Sequence, residues 1–436
     1  MVLTRQPCSG EFRVRLFTTR RVEEEAQDVE VDPTPDSREP SNSLGRPEYR
    51  PPRVVHVAQT IAGGIASIFE EMAPYQTKAF GKGNVTFVVP EGSQVHLPSV
   101  DRSQIVTFAA TSRGPAALLL FGREATKAIR RLDPDIVHLH SSFAGALVRT
   151  LLRRRSGKPR IVYCSHGWAF GIESAHLKKR LYAAIERRLA RRSDLIIVNS
   201  QSEHELAVKF GLPEDKLRVV KNGVAWRPPV NRSEGGARLR VAFIGRHDRQ
   251  KGLDLLLDTI DRFSLPNIEF HVVGEGVLDR TSGRSDNHPN LTFHGWLDRS
   301  AIGELLSQLD AVVMPSRWEA FGLVAIEAMR AGVPVIASNR GALPEIVHHG
   351  IGGYIFDLDD PSALGLLLAS LDRQALEKLR NSARARWETE FSAVRMNELT
   401  EKAYESLLPA TRPLGRRGHS LSRDVVAGAT PVLVPE

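Results

Sequence analysis

Short runs of apolar and β-branched residues alternate with longer amphipathic stretches along most of the chain. "RVVHVAQT" opens the series, and a Gly63-Gly64 turn leads from it into a helical pattern from about Ile65. "DIVHLH" (135–140), "RIVYCSH" (160–166) and "DLIIVNS" (194–200) repeat the same sequence of an apolar run, a polar end and a helix. After Pro228-Pro229 and the linker "NRSEGGAR" the rhythm restarts with "LRVAFIG", "IEFHVVG", "LTFHG", "DAVVMPS" and "PVIAS". Strands that are apolar throughout are buried on both faces, and strands alternating with helices build parallel sheets. A proline pair followed by a polar, glycine-containing linker divides one such domain from the next. The pattern predicts an α/β protein of two doubly wound, Rossmann-like parallel-sheet domains facing across a cleft, at 51–228 and 236–391. A last helical pattern at 392–410 is expected to pack back toward the first domain.

The ends stand outside this rhythm. Residues 1–50 carry Glu23-Glu24-Glu25 and "DPTPDSREPSNSLGRP", and residues 411–436 are similar in character. Such segments bury little apolar surface and are expected to be disordered. No apolar run approaches the roughly 18 residues that span a bilayer, and the N-terminus lacks the apolar core and cleavage site of a secretory signal. Cys8 and Cys164 are too few and too far apart for a disulfide framework or a zinc site, so a reducing cytosol is expected.

Charge sharpens the picture. The net charge is +8, yet residues 51–228 hold 27 Lys/Arg against 14 Asp/Glu, a balance of +13. Residues 1–50 give 8 minus 10, and residues 229–436 give 24 minus 27. The basic surplus therefore lies in the first domain and points to an anionic partner there.

Open parallel sheets bind ligands at the carboxyl ends of their strands, and two such domains place a site in the cleft between them. "VAFIGRHDRQKG" ends a strand at Gly245, with Arg246 next and Lys251 at the start of the following helix. Two cations beside a helix N-terminus suit a diphosphate, although two solvated loop cations would read the same way. Gly274-Glu275-Gly276 is a weaker signal that fits a plain turn. In "SRWEAFGLVAIEAM" (316–329) the amides near Phe321, Gly322 and Leu323 open a helix and offer a second phosphate seat. Glu319 precedes that seat and Glu327 follows it by one turn, inside an apolar run. Carboxylates accept hydrogen bonds from hydroxyls, so phosphates flanked by sugar alcohols would match the order. Glu327 paired to a buried arginine, or facing water, is the plainer alternative.

These motifs together resemble glycosyltransferase family 4. "RWEAFGLVAIEAMRAGVPVIAS…GALPEIV…GIGGYIF" is similar to that family's donor signature, with an E-x7-E frame from Glu319 to Glu327. Gly245-Arg246 to Lys251-Gly252, Asn222-Gly223-Val224 and His166-Gly167 fall in the family's order, over roughly 54–408. The resemblance implies the GT-B fold and a retaining, metal-independent hexosyltransferase using a nucleotide-sugar donor, with no cofactor. It implies that Arg246 and Lys251 hold the donor diphosphate, that the 321–323 amides seat the distal phosphate, that Glu327 takes the ribose and that Glu319 takes the transferred sugar. It places His294 and Gly295 near the base, Gly63 and Gly64 with Asn222 at the acceptor and phosphate loop, and His166 facing the donor sugar. A strand-end histidine can equally be a structural hydrogen-bonder. Ala342 stands where the family often has a second glycine, which leaves recognition near Glu345 open. "DPD" at 133–135 fits a metal-binding D-x-D but opens a strand in the first domain, and reads as loop capping.

The implied acceptor is a glycan or a lipid-linked sugar in surface polysaccharide synthesis, with UDP as the default nucleotide and GDP as the alternative. A nucleotide-sugar epimerase on the same fold and a degenerate binding subunit are the rival readings. The basic segment 149–192, with Lys178, Lys179, Arg180, Arg187, Arg188, Arg191 and Arg192, suits an anionic membrane at the inner face of the cytoplasmic membrane, or forms a solvated face. No aromatic residues interleave these cations as nucleic-acid stacking requires, so nucleic acid is not an expected partner.

Overall fold

The computed structural model describes residues 50–61, 63–109, 114–153, 158–228, 236–276 and 288–408. Apart from Arg50, the end segments expected at 1–50 and 411–436 lie outside them, as do 409 and 410 of the last helical pattern.

The first domain runs β1 (Val54–Ala58), α1 (Gly64–Phe80), β2 (Val85–Pro90), β3 (Ile105–Phe108), α2 (Pro115–Leu132), β4 (Ile136–His140) and α3 (Ser142–Leu151). It continues through β5 (Arg160–Cys164), α4 (His176–Ala190), β6 (Leu195–Val198), α5 (Gln201–Lys209) and β7 (Leu217–Val219). The second runs β8 (Leu239–Ile244), α6 (Leu253–Arg262), β9 (Ile268–Val273), β10 (Leu291–Gly295), α7 (Arg299–Gln308), β11 (Ala311–Met314) and α8 (Leu323–Arg330). It ends with β12 (Val335–Ser338), α9 (Leu343–Val347), β13 (Gly353–Phe356), α10 (Ala363–Ala369) and α11 (Arg373–Glu390), before α12 (Ala393–Glu405).

The two sheets have strand orders β3-β2-β1-β4-β5-β6-β7 and β10-β9-β8-β11-β12-β13, and the pairings are parallel throughout. The expected pair of doubly wound domains is therefore present. Strand order reverses between β1 and β4 and between β8 and β11, which opens a crevice at the carboxyl ends of those strands. Central strands such as Val54–Ala58 and Ile136–His140 are buried at every position, because helices cover both faces.

Two chain crossings join the domains side by side. Val224 N–H donates to Phe391 O at 3.0 Å, and Ala393 N–H donates to Val224 O at 3.0 Å. A Cβ on Gly223 would lie 2.2 Å from the Ser392 carbonyl oxygen, so this crossing admits glycine alone. Beyond it, α12 lies on the first domain: Met396, Ala403 and Tyr404 join the core made by α1 and β1. The Tyr404 hydroxyl lies 2.7 Å from His138 Nδ1 on β4.

Candidate active site

The loop after β8 is shaped by its glycines. A Cβ on Gly274 would fall 2.0 Å from Gly245 O, and one on Gly252 would fall 2.1 Å from Pro315 O. Both have positive φ, so the loops after β8, β9 and β11 approach each other closely. Asp248 organises the cations: Oδ1 accepts the Lys251 N–H at 3.0 Å, and Oδ2 lies 3.0 Å from Arg246 Nη2. Arg246 also donates to Gln250 Oε1 at 3.1 Å, while Gln250 Nε2 donates to Trp318 O at 3.2 Å. Lys251 Nζ reaches Glu319 Oε2 at 2.5 Å, so the cation loop and the glutamate loop meet. Arg317, clamped on Asp254, donates its backbone N–H into nothing exposed: it meets Gln250 O at 2.8 Å and closes the seam.

The glutamate loop leads to α8 through Gly322, in a left-handed conformation at φ 102. Gly341 supports it from below. Its Cβ would sit 2.0 Å from Glu319 O, and Ala342 N–H donates to that same oxygen at 3.0 Å. Ala342, where the family pattern has glycine, is thus fully buried and tied to Glu319 through its backbone. Glu345 accepts the Gln201 N–H from the first domain at 3.1 Å. Glu327 is half-buried, and among the described residues its carboxylate makes no hydrogen bond or ion pair. Burial pushes that carboxyl up, against the pull of Arg330 and Arg299. Those arginines are committed elsewhere: Arg299 pairs with Glu71 at 2.9 Å and Arg330 donates to Ala225 O at 3.1 Å.

Three features of the first domain face these loops. A Cβ on Gly64 would meet Leu323 Cδ1 at 3.3 Å, and one on Gly167 would meet Ala320 Cβ at 3.2 Å. The Ser200 hydroxyl donates to Ala320 O at 2.9 Å. His166, held at φ 53, directly precedes Gly167. Gly64, His166–Gly167, Lys251, Glu319 and the start of α8 therefore gather at one place between the sheets. Gly63 adjoins it at φ 56 as the residue before α1.

Other expected residues go elsewhere. The amide of Asn222 is buried and accepts from Asn199 Nδ2 at 2.9 Å, beside the interdomain crossing and not in the Gly63–Gly64 loop. His294 Nε2 lies 2.9 Å from His271 Nδ1, and Gly295 O accepts the Gly274 N–H at 2.8 Å, on the β9 side of the same crevice. Asp133 caps α2 and Asp135 accepts the Arg53 N–H at 3.0 Å and pairs with Lys158 at 3.1 Å. The basic face is smaller than the sequence suggests, because Arg149 is fully buried. It pairs with Glu186 at 2.8 Å and lies 3.8 Å from the Tyr163 ring centroid. Arg192 donates to the Arg149 carbonyl at 2.9 Å.

Two groups escaped sequence reasoning. Glu203 on α5 is buried, accepts the Trp168 N–H at 3.1 Å, and has its carboxyl pushed up to about 8 by burial, with Glu319 and Glu345 adding to the effect. His56 and His140 form a buried hydrogen-bonded row with His166. These residues come from segments far apart in sequence, so no local motif could have joined them.

Comparison with known proteins matches the chain to a family. The model for glycosyl transferases group 1 matches residues 231–386, and that for Glycosyltransferase Family 4 matches residues 62–225. An uncharacterised 41.2 kDa protein in the cps region of Klebsiella pneumoniae is 31% identical over 319 residues, covering 70% of this chain and 86% of its own. The UDP-Gal:alpha-D-GlcNAc-diphosphoundecaprenol alpha-1,3-galactosyltransferase of Escherichia coli is 27% identical, over 64% of this chain and 76% of its own. Among solved structures, HepE of Anabaena in complex with UDP and glucose superposes with a TM-score of 0.66 at 19% identity, covering 81% of this chain and all (100%) of its own. Sucrose-phosphate synthase of Thermosynechococcus elongatus gives 0.67 at 18% identity, covering 81% of this chain and 98% of its own.

Proposed function

The chain belongs to glycosyltransferase family 4, and on that premise we propose that it moves a hexose from a UDP-sugar to a glycan or lipid-linked acceptor in surface polysaccharide synthesis. The observation that carries this reading is the meeting of Lys251 and Glu319, 2.5 Å apart, opposite Gly167 and Gly64 of the other domain. A cation for phosphate and a carboxylate for sugar hydroxyls stand together where the two sheets face each other. The cps-region relative and the galactosyltransferase acting on a diphosphoundecaprenol-linked sugar support the acceptor class. The UDP-containing neighbour supports the nucleotide.

In this reading Arg246, Lys251 and the amides of Phe321, Gly322 and Leu323 take the charge that builds on the departing diphosphate. The bond from the sugar's anomeric carbon to the phosphate oxygen breaks, and a bond to the acceptor oxygen forms on the same face. The acceptor's proton passes to the departing phosphate oxygen. No protein nucleophile and no metal take part. Glu319 orients the sugar hydroxyls, Glu327 the ribose, His294 and Gly295 the base side, and His166 faces the sugar from the first domain.

The membrane part of the proposal rests on α4. Leu177, Leu181 and Ile185 are 80%, 58% and 44% exposed and recur every fourth residue, so they form one ridge. Lys178, Arg180, Arg187, Arg188 and Arg191 are exposed beside it. Arg187, Arg188 and Arg191 also line a cavity of about 560 Å³ with Gly211 and Pro213. An apolar ridge flanked by cations suits an anionic leaflet, where a lipid-linked acceptor resides. Among the described residues no helix is long and apolar enough to cross a membrane.

The test is a thermal-shift panel of UDP-, GDP- and ADP-sugars with EDTA present, followed by determination of the product's anomeric configuration. A shift with UDP-sugar alone and a product of retained configuration are expected. A shift that needs a divalent cation, or an inverted product, would overturn the corresponding part. Epimerisation of the donor with no acceptor present would replace the transferase reading altogether.

A further inference from the structure

One glutamine and three histidines from separate elements form an unbroken row. Gln76 Oε1 lies 2.8 Å from His56 Nε2, His56 Nδ1 lies 3.0 Å from His140 Nε2, and His140 Nδ1 lies 2.8 Å from His166 Nε2. Sheet register produces it. Ala58 on β1 pairs with His140 on β4, so His56 and His140 point to the same face, toward α1 and its Gln76. Gln76, His56 and His140 are at most 2% exposed, whereas His166 is partly exposed at the cleft end.

A neutral imidazole has one N–H and one bare nitrogen. Burial holds His56, His140 and His166 well below their ordinary value, so each is neutral near pH 7. In such a row each ring donates once and accepts once, and the end group sets the direction. An amide oxygen can only accept. Gln76 Oε1 therefore calls for a proton on His56 Nε2, which leaves His56 Nδ1 to accept from His140 Nε2. His140 Nδ1 then accepts from His166 Nε2. The remaining nitrogen, His166 Nδ1, makes no hydrogen bond among the described residues.

We propose that Gln76, acting through His56 and His140, is a positioning residue that fixes His166 as the Nε2–H tautomer and presents its bare Nδ1 to the cleft as a hydrogen-bond acceptor. The chemical class that this nitrogen takes is a hydroxyl of the sugar or of its acceptor. A carboxylate at the inner end would draw a proton inward and charge the row. An amide cannot take that proton, so the row sets direction without storing charge. The assignment to a substrate hydroxyl rests on the transferase reading, whereas the tautomer can be read with no substrate present.

The experiment uses full-length protein labelled with 15N-histidine and long-range 1H–15N correlation spectra, without ligand. His166 is assigned by the signals missing in His166→Gln. A pyridine-type Nδ1 and a pyrrole-type Nε2 at His166 are expected. Gln76→Leu removes the terminal acceptor and should turn His166 into a mixture of tautomers, while Gln76→Glu, whose carboxylate holds an added proton on His56 Nδ1, should reverse the row and place the proton on His166 Nδ1. With substrates, Gln76→Leu should lower kcat by roughly tenfold and leave the donor KM within about threefold. A protonated Nδ1 at His166 in the wild type overturns the proposal, as does an unchanged His166 pattern in Gln76→Leu. If Gln76→Leu does not fold, the wild-type tautomer and its reversal in Gln76→Glu decide the matter. The expected tautomer in a protein that binds no sugar nucleotide would count against the transferase reading and leave this one standing.

Discussion

Lys251 Nζ stands 2.5 Å from Glu319 Oε2, an ion pair that joins the loops after β8 and β11 with side chains only 19% and 9% exposed. Truncating one member of a nearly buried pair strands the other's charge, at a cost of about 3–5 kcal/mol. Lys251→Ala is therefore expected to lower the denaturant midpoint markedly. Lys251→Met combined with Glu319→Leu should recover most of that stability, because no buried charge is left over. Neither protein should bind the donor. Additive losses in the double variant would contradict a coupled pair.

Glu327 makes the opposite prediction. Its carboxyl is pushed up by burial and makes no hydrogen bond or ion pair among the described residues, so folding gains little from it. Glu327→Gln should leave the melting temperature of the free protein unchanged or slightly raised. The stabilisation by UDP-sugar should fall by more than half, since a ribose-binding carboxylate would be lost. A large drop in the free protein's stability with the ligand shift intact would show that Glu327 serves the fold.

Glu203 predicts a pH dependence. Its carboxyl is raised to about 8 in the folded protein, above the ordinary value of 4.5. Between those values the native state holds the proton more firmly than the unfolded chain, so this group's stabilisation falls as pH rises through that window. Glu203→Gln keeps an oxygen for the Trp168 N–H and has no charge to develop. The variant should match wild type near pH 4 and exceed it by on the order of 4 kcal/mol near pH 8. A difference that does not change with pH would remove this account.

The α4 ridge is tested with vesicles. Wild type should sediment with vesicles containing anionic phospholipid and release as salt rises. Leu181→Glu combined with Ile185→Glu should abolish sedimentation while leaving the donor-induced thermal shift in place. Sedimentation with neutral vesicles alone, or equal sedimentation of the variant, would rule out this ridge.

The architecture was legible wherever burial on both faces gives an unbroken apolar run, as in "RVVHVAQT" and "DAVVMPS". The shorter strands Ile105–Phe108 and Leu217–Val219 lie at sheet edges, where burial is partial and the run is diluted by polar residues. Val85–Pro90 falls outside the pattern although it is apolar, because no long amphipathic stretch follows its polar end. The residues proposed for phosphate and sugar are local, within "GRHDRQKG" and "RWEAFG", so the pattern along the chain brings them into view. Arg149 looked like surface charge because its partner, Glu186, lies 37 positions on. The His56–His140–His166 row depends on strand order, which pattern along one chain does not carry.

The most direct test of the central claim is the structure of the protein bound to UDP-sugar. The account predicts the diphosphate against Arg246, Lys251 and the first amides of α8, the ribose on Glu327, and the sugar between Glu319 and His166. A nucleotide seated away from Lys251 and Glu327, with those side chains unchanged, would contradict it.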